Sequence, residues 1–371
     1  MKRIYKLNID GAPVIAGESL LFNYDSLTVA SWLGGKLPTI IDSVITNNVP
    51  PILPGKFYSS YSVIAQVKEF DSVTGLELRQ LSVGGSYRID ISHDNSLLYC
   101  VSLDGTNLKV IDIALWAVIS DRTIPGDPLN WGFGLSSDGL HLVGVYYNSV
   151  TRYSAFRKIL LSDLSEVGSI SVGGIEMANT QYTVTKGFNH LFLNFQIYGV
   201  AVYVNFSVPD AAFDVYSQIY APNTNVRPYL QPSRIADRVI SMSRNGTTPT
   251  SAENAFHYLP GGSWLNNYHN FPIDVLSYAR SNYNNTNTKV LSVTGQQKMF
   301  VFEGFSDVQT TFTPIEIPYS YCVNPMKVMF SGSAFVVIDN GRLYAVRESD
   351  YSILYNESFA TSFLIDAVAQ R

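Results

Sequence analysis

The residues best suited to recognise a partner lie between Asn254 and Pro272. This segment combines aromatic rings with amides, glycines and prolines. Such rings give a large contact area at low entropic cost, and the amides supply adaptable hydrogen bonds. We predict a binding loop for a sugar or another protein. The alternative is an ordinary connecting loop whose rings cap the core. The candidate binding residues are His257, Tyr258, Trp264, Asn266, Asn267, Tyr268 and His269.

The sequence shows no arrangement that predicts catalysis or metal binding. None of the five histidines stands in an H-x-x-x-H or H-E-x-x-H motif, and there is no C-x-x-C. A nucleophile elbow and a P-loop are also missing from the sequence. The carboxylates Glu176, Glu253 and Glu303 cannot be paired from sequence, although a hydrolase depends on such a pair. We therefore expect no catalytic residues, no metal and no cofactor.

The composition restricts the class of protein. The 371 residues are 46% hydrophobic, 13% aromatic and only 15% charged, with a net charge of −5. Disorder requires more charge and fewer aromatic residues, and nucleic-acid binding requires a basic surface. No apolar stretch is long enough for a membrane span or a signal peptide. We expect Cys100 and Cys322 to be buried thiols, and the surface to be uncharged and polar.

Short β-branched and aromatic runs alternate with turn residues, which predicts an all-β protein. Two segments about 44 residues apart align as strand, Ser-x-Asp turn and strand. They are 88–99, with Ser92 to Asn95 in the turn, and 132–143, with Ser136 to Gly139. The histidines His93, His141 and His190 fall near such turns. We expect these side chains to bind backbone groups rather than a ligand.

A second repeat places an aspartate in the turn between two strands. It occurs at Asp71, Asp112, Asp163 and Asp350. The first and last of these lie 279 positions apart, which is about six intervals of roughly 46 residues. This spacing is typical of the blades of a propeller and predicts about seven of them.

We therefore predict a single β-propeller domain over residues 1–371, with seven four-stranded blades. A ring of blades hides its sheet edges only when it closes. We expect an N-terminal strand at 4–9 to lie beside C-terminal strands at about 353–365. The alternative is a β-sandwich or a two-domain β protein.

Residues 89–119 resemble a blade of the YVTN-type propellers, which are relatives of the WD40 and lactonase-type folds. The resemblance depends on Ser92-His93-Asp94-Asn95, Leu98-Tyr99-Cys100-Val101 and Asn107 to Asp112. It covers less than a third of the chain, from about 88 to 170, and the WD dipeptide is missing. It implies a fold and no activity, because propellers have many unrelated functions.

Three hypotheses for function remain. The first is a non-enzymatic part of a bacteriophage virion, in its tail, baseplate or head decoration. Such a protein is made in the host cytoplasm without a signal peptide, yet has a polar surface of extracellular type. Its partners would be other virion proteins, copies of itself or a host surface glycan, with neither nucleic acid nor membrane insertion. The second is a lactonase-like or glycan-cleaving enzyme, and the third is a cytoplasmic WD40-like scaffold.

Overall fold

A computed structural model describes the chain between residues 55 and 370, and from 170 to 281 it describes the backbone only. The gaps are 131, 137, 149, 152, 174–175, 185–189, 198–199, 208–213, 221–228, 233–238, 245–252, 259–263, 266–279, 287, 295–297, 304–314, 318–324, 340 and 360–363. The predicted strand at 4–9 therefore lies outside the described residues, as does Cys322. Extension of one domain over residues 1–371 stays a prediction for the same reason.

The described residues form 28 strands and no helix. The first fourteen are β1 Lys56–Tyr61, β2 Gln66–Asp71, β3 Glu77–Ser82, β4 Tyr87–Ile91, β5 Leu97–Ser102, β6 Asn107–Asp112, β7 Ala117–Thr123, β8 Gly132–Leu135, β9 His141–Asn148, β10 Tyr153–Leu160, β11 Glu166–Gly173, β12 Glu176–Val184, β13 His190–Ile197 and β14 Val200–Ser207. The others are β15 Asp214–Tyr220, β16 Tyr229–Pro232, β17 Val239–Arg244, β18 Glu253–Tyr258, β19 Trp264–Leu265, β20 Arg280–Tyr283, β21 Lys289–Thr294, β22 Lys298–Glu303, β23 Ile315–Ile317, β24 Pro325–Ser331, β25 Ala334–Asp339, β26 Arg342–Arg347, β27 Ile353–Ser358 and β28 Leu364–Ala369.

These strands pair antiparallel into seven four-stranded sheets. Sheet 1 has the order β28-β1-β2-β3. Sheets 2 to 7 consist of β4–β7, β8–β11, β12–β15, β16–β19, β20–β23 and β24–β27, in that order. The all-β prediction is confirmed, and the fold is that of a β-propeller. In the part of the chain that is described, no helix is long and apolar enough to cross a membrane.

Sheet 1 joins the two ends of the described chain. Its strand β28 pairs with β1, so that Phe57 lies opposite Ala369 and Tyr58 opposite Val368. The same sheet packs against two neighbours. Tyr58 belongs to an apolar cluster with Ile89 of sheet 2, and Phe57 belongs to another with Val336 of sheet 7. Both faces of the inner strand β1 are thereby packed against neighbouring sheets, whereas the outer strand β3 stays largely exposed.

The predicted Ser-x-Asp turns connect the first two strands of sheets 2 and 3. In sheet 2 the Ser92 hydroxyl donates to Asp94 over 2.6 Å, and the Asp94 carboxylate accepts the Ser96 backbone N–H at 3.0 Å. Hydrogen bonds from Ser92 and then from Ser96 lower the pKa of Asp94 to about 2. Asn95 takes a positive φ of 59°, which Asn tolerates better than most residues. Local hydrogen bonds therefore support the turn.

The two described turn histidines have structural contacts. The Nε2 atom of His93 lies 2.8 Å from the backbone oxygen of Ser136, which belongs to the next sheet. His141 is buried, and its Nδ1 atom lies 2.9 Å from Asp138. The side chain of His190, the first residue of β13, lies outside the described residues. Cys100 is a buried thiol, and burial raises its pKa to about 12.

The second predicted repeat lies between the third and fourth strands of sheets 1, 2, 3 and 7. In each turn a residue takes positive φ: Gly75, Trp116, Leu164 and Tyr351. In sheets 1, 3 and 7 this residue donates its backbone N–H to the carbonyl of the last residue of the third strand, over 2.9, 2.9 and 3.0 Å. The repeat is thus a defined turn, and the aspartate is one way of supporting it.

A β-bulge lies near the start of the outer strand in five of the seven described sheets. One residue of the outer strand has no partner at the bulge: Leu78, Ile119, Val167, Tyr216 and Leu354. A bulge bends an edge strand and increases its twist, which hinders pairing with another strand. Two of these residues, Leu78 and Ile119, expose their apolar side chains, by 46% and 52%, at the outer edge.

Polar side chains connect the innermost strands of adjacent sheets. The Asp366 carboxylate of sheet 1 accepts the Ile89 backbone N–H of sheet 2 at 3.3 Å and the Lys327 ammonium of sheet 7 at 2.9 Å. Asp90 of sheet 2 similarly accepts the Leu135 N–H of sheet 3 at 2.9 Å. These links fix the heights of neighbouring sheets relative to each other.

The Asp366 link gives a testable prediction. Asp366→Ala removes the acceptor for Ile89 and Lys327, and an inner backbone N–H then lacks its partner. We expect the free energy of unfolding to fall by about 1–3 kcal/mol. Denaturant titration measures this loss. The control Glu77→Ala removes a carboxylate that is 38% exposed, against 23% for Asp366, and that pairs with Lys68, so it should lose less than about 1 kcal/mol. Equal losses in the two variants would contradict a role for Asp366 in joining the sheets.

Candidate functional site

The predicted binding loop begins in a hairpin of sheet 5. His257 lies opposite Leu265 and Tyr258 opposite Trp264 in the β18–β19 pair. The side chains of His257, Tyr258 and Trp264 are not described. Asn266, Asn267, Tyr268 and His269 lie outside the described residues altogether. The role of this loop therefore stays a prediction.

A cleft of about 540 Å³ lies between sheets 1 and 2, at the end that carries the β4–β5 and β6–β7 turns. This volume is within the range of ~300–1,000 Å³ that is usual for ligand sites. Sheet 1 supplies one wall with Lys56, Glu69, Leu78 and Arg79. Sheet 2 supplies the other with Asn95, Ser96, Ile113 and Ala114. We call it the sheet 1–2 cleft.

A buried carboxylate organises the cations of this cleft. Glu69 is adjacent to Tyr58 on one side and to Arg79 on the other in the strand register. Its side chain is only 1% exposed, and the Lys56 ammonium lies 2.6 Å from its Oε1 atom. Arg79 donates to its Oε2 atom from Nε, at 3.1 Å, and also from Nη2. Because a buried charge requires compensation, Glu69 holds both cations in place.

The Arg79 side chain is also fixed by sheet 2. Its Nη2 atom donates to the Ile113 carbonyl over 3.0 Å, and its guanidinium lies 4.5 Å from the ring centre of Trp116. Trp116 occupies the positive-φ position of its turn, at 52°. A left-handed conformation costs a residue with a side chain about 1–2 kcal/mol. The stacking of the indole on Arg79 offsets part of that cost.

Tyr58 forms the floor behind Glu69. Burial, and then the nearby Glu69 carboxylate, raise the pKa of Tyr58 far above its usual value. The phenol therefore stays protonated throughout the physiological range, and it accepts a hydrogen bond from Gln370 over 3.2 Å. Tyr58 contributes packing to the site and carries no charge there.

The interface between sheets 6 and 7 contains a simpler version of this arrangement. Lys289 lies 3.3 Å from Glu303 and 5.0 Å from the ring centre of Tyr351, which occupies the same turn position as Trp116. The Lys289 ammonium also donates to the Glu348 carbonyl over 2.9 Å. One cation and one carboxylate meet there, whereas two cations and one carboxylate meet in the sheet 1–2 cleft. Among the residues that line the cleft, the cations therefore outnumber the carboxylates by one, and the Asp94 carboxylate lies beside the lining residue Ser96.

The two cations of the cleft have hydrogen-bond donors available for a ligand. Among the described residues, Nη1 of Arg79 has no acceptor, and the Lys56 ammonium pairs with Glu69 alone. Both side chains are about one third exposed and line the cleft. A guanidinium and an ammonium are donors to carboxylates and phosphates, with which they form short, strong hydrogen bonds. The site is thus suited to binding an anion.

None of these residues was singled out from the sequence. Lys56, Glu69 and Arg79 come from three strands, and Trp116 from a turn of the next sheet. The register of β2 and β3, with its bulge at Leu78, brings Glu69 opposite Arg79. The residues 69–79 do form a strand-turn-strand repeat. That pattern indicates only that these residues form a hairpin, because pairing across the bulge is not visible in the sequence.

No protein family and no characterised protein matches the chain by sequence. Solved structures match it by shape. A proposed 6-phosphogluconolactonase from Bacteroides fragilis aligns with a TM-score of 0.59 at 10% identity, over 87% of this chain and 99% of the other. A protein of unknown function from Desulfotomaculum acetoxidans aligns with a TM-score of 0.58 at 12% identity, over 81% and 98% of the two chains.

A third similar structure is the β-propeller domain of Cps50 (Swd1) from Myceliophteria thermophila. It has a TM-score of 0.55 at 10% identity and covers 76% of this chain and 89% of the other. The chain therefore has the fold of a β-propeller. At this level of identity the similarity concerns the fold alone, because propellers have many functions.

The unequal roles of the two cations give a second prediction. Arg79→Met removes the paired hydrogen bonds to Glu69, the bond to Ile113 and the stacking on Trp116. We expect a loss of about 3 kcal/mol in the free energy of unfolding, since a buried carboxylate loses its main partner. Lys56→Met removes a partly exposed cation, for which we expect a loss of less than about 1 kcal/mol.

Chemical denaturation of the two variants checks this difference. Lys68→Met is the control, because Lys68 pairs with the exposed Glu77 in the same sheet. A loss for Arg79→Met no larger than that for Lys68→Met would mean that Glu69 does not depend on Arg79.

Proposed function

We propose that the protein is a non-catalytic interaction protein that docks on other subunits of a larger assembly. The observation that carries this proposal is a set of exposed apolar side chains on two neighbouring sheets. Among the residues whose side chains are described, which leave out sheets 4 and 5, eight large apolar residues of sheets 1 and 2 are exposed. Several large apolar side chains left exposed on adjacent sheets favour a protein interface.

Five of these eight residues lie on the outer strands or on the turns that lead into them. They are Leu76, Leu78, Leu115, Val118 and Ile119, with exposed fractions of 65, 46, 72, 37 and 52%. We call them the outer patch. The bulges at Leu78 and Ile119 hinder strand addition at these edges. The partner would therefore contact side chains of the outer patch rather than extend the sheet.

We further propose that the seven sheets are the blades of one closed ring. The pairing of β28 with β1 and the packing of sheet 1 between sheets 2 and 7 support this proposal. A closed ring gives a rigid body whose outer surface is available for docking.

We propose that the larger assembly is a bacteriophage particle. The low charge content of the chain and the outer patch support a protein that is covered by neighbours after assembly. The partners would be other particle proteins or further copies of this chain. The loop at 254–272 is then a second contact surface, for a neighbouring subunit or a host glycan.

Fractionation of a lysate of the native source tests this function. In a density gradient we expect the chain to sediment with dense particles that contain nuclease-protected DNA. The double variant Leu115→Ser and Ile119→Ser should leave the particle fraction, because it removes apolar contacts of the outer patch. Its fold should be intact, since exposed substitutions usually change stability by less than about 0.5 kcal/mol.

The matched control replaces Leu140 and Val150, which are 60% and 90% exposed but lie in sheet 3. The double variant Leu140→Ser and Val150→Ser should stay with the particles. A wild-type chain that remains in the light soluble fraction would contradict the virion proposal. Equal retention of both double variants in the particles would contradict the role of the outer patch.

A further inference from the structure

We propose that the sheet 1–2 cleft is the binding site for an acidic side chain carried by an extended, apolar segment of the partner protein. This proposal rests on the proposed function and names the chemistry of the docked partner. It commits to a protein segment with one carboxylate between apolar side chains.

The charge of the cleft indicates an anionic ligand. Two cations and one carboxylate line it, and Glu69 is buried beneath them with 1% of its side chain exposed. Arg79 is held in place by Glu69, the Ile113 carbonyl and the Trp116 ring, which leaves Nη1 free for an incoming acceptor. A donor whose position is already fixed loses little conformational freedom on binding, which favours affinity.

The apolar surroundings indicate a chain segment rather than a small anion. Leu78, Ile113 and Ala114 line the cleft beside the cations. Leu115 follows Ala114 directly and is 72% exposed, and Leu78 is 46% exposed. A carboxylate alone would leave these side chains in water, whereas flanking apolar side chains of a segment would cover them. Charged anchors within an apolar surround are typical of the centres of protein interfaces.

The opposite wall can position the backbone of the segment. Asn95 and Ser96 form the end of the β4–β5 turn at the cleft. The Ser96 hydroxyl donates to Asp94 over 2.7 Å, and its oxygen can accept a peptide N–H. The expected order across the cleft is therefore carboxylate at Lys56 and Arg79, apolar side chains at Leu78 and Ala114, and backbone near Ser96.

Titration of the intact chain with two capped tripeptides tests the proposal. The probes are acetyl-Leu-Asp-Leu-amide and acetyl-Leu-Asn-Leu-amide, which differ in charge and hardly in shape. We expect the aspartyl peptide to bind at least about tenfold more tightly, because its hydrogen bonds to the two cations are charge-assisted. Sodium acetate and sodium phosphate at the same concentration serve as probes for an anion without apolar flanks.

Variants of the cleft locate the binding. Arg79→Gln and Lys56→Gln should each weaken the aspartyl peptide about tenfold and leave the asparaginyl peptide unchanged. Leu78→Ser should weaken both peptides. The controls Lys68→Gln and Leu140→Ser lie outside the cleft and should change neither. Since Arg79 also supports the fold, Lys56→Gln is the decisive variant, and its melting temperature should lie within about 4 °C of the wild type.

Equal binding of the two peptides, or no binding of the aspartyl peptide, would overturn the proposal. Acetate or phosphate binding as tightly as the aspartyl peptide would also overturn it, since the site would then be a general anion site. Failure of the peptide-binding proposal can be distinguished from failure of the proposed function. Suppose that the wild-type chain sediments with the particles, that the outer-patch double variant does not, and that the aspartyl peptide does not bind. The protein would then be a subunit of the particle, but the cleft would not be its docking site.

Discussion

The structure depends on the burial of both faces of each four-stranded sheet by its neighbours. A sheet with two apolar faces is unstable alone, so each one requires a sheet on either side. Sheet 1 shows the constraint most clearly. It is completed by β28 from the far end of the chain, and its two faces pack against sheets 2 and 7. The polar links at Asp366 and Asp90 then fix how the innermost strands align.

Local hydrogen bonding explains how much could be predicted from the sequence. The turns at Ser92 and Ser136 form from side chains within five residues of each other, so the strand-turn-strand repeats were correctly predicted. The sheet 1–2 cleft could not be predicted, because Glu69 meets Lys56 only through strand pairing and Arg79 meets Trp116 only through sheet packing. The bulge at Leu78 also depends on pairing between strands. The aspartates of the second repeat mark the right turn, but its common feature is the residue at positive φ four positions after the strand end.

Features shared by several sheet interfaces indicate how the fold is held together, whereas features found at one interface indicate function. An aromatic ring over a paired cation occurs at the interface of sheets 1 and 2 and at that of sheets 6 and 7, which indicates that it joins sheets. The second cation and the exposed Leu78, Leu115 and Ile119 distinguish the sheet 1–2 cleft. Structures at 10–12% identity establish the fold alone. The interpretation of function therefore depends on the second cation and on these exposed apolar residues.

Hydrogen–deuterium exchange of the intact chain, isolated and within its native assembly, is the most direct test of docking through sheets 1 and 2. We expect slower exchange in the assembly at residues 76–81 and 113–120, with unchanged exchange at 141–147 in sheet 3. Exchange that slows only at 253–283, or nowhere, would contradict docking through these two sheets.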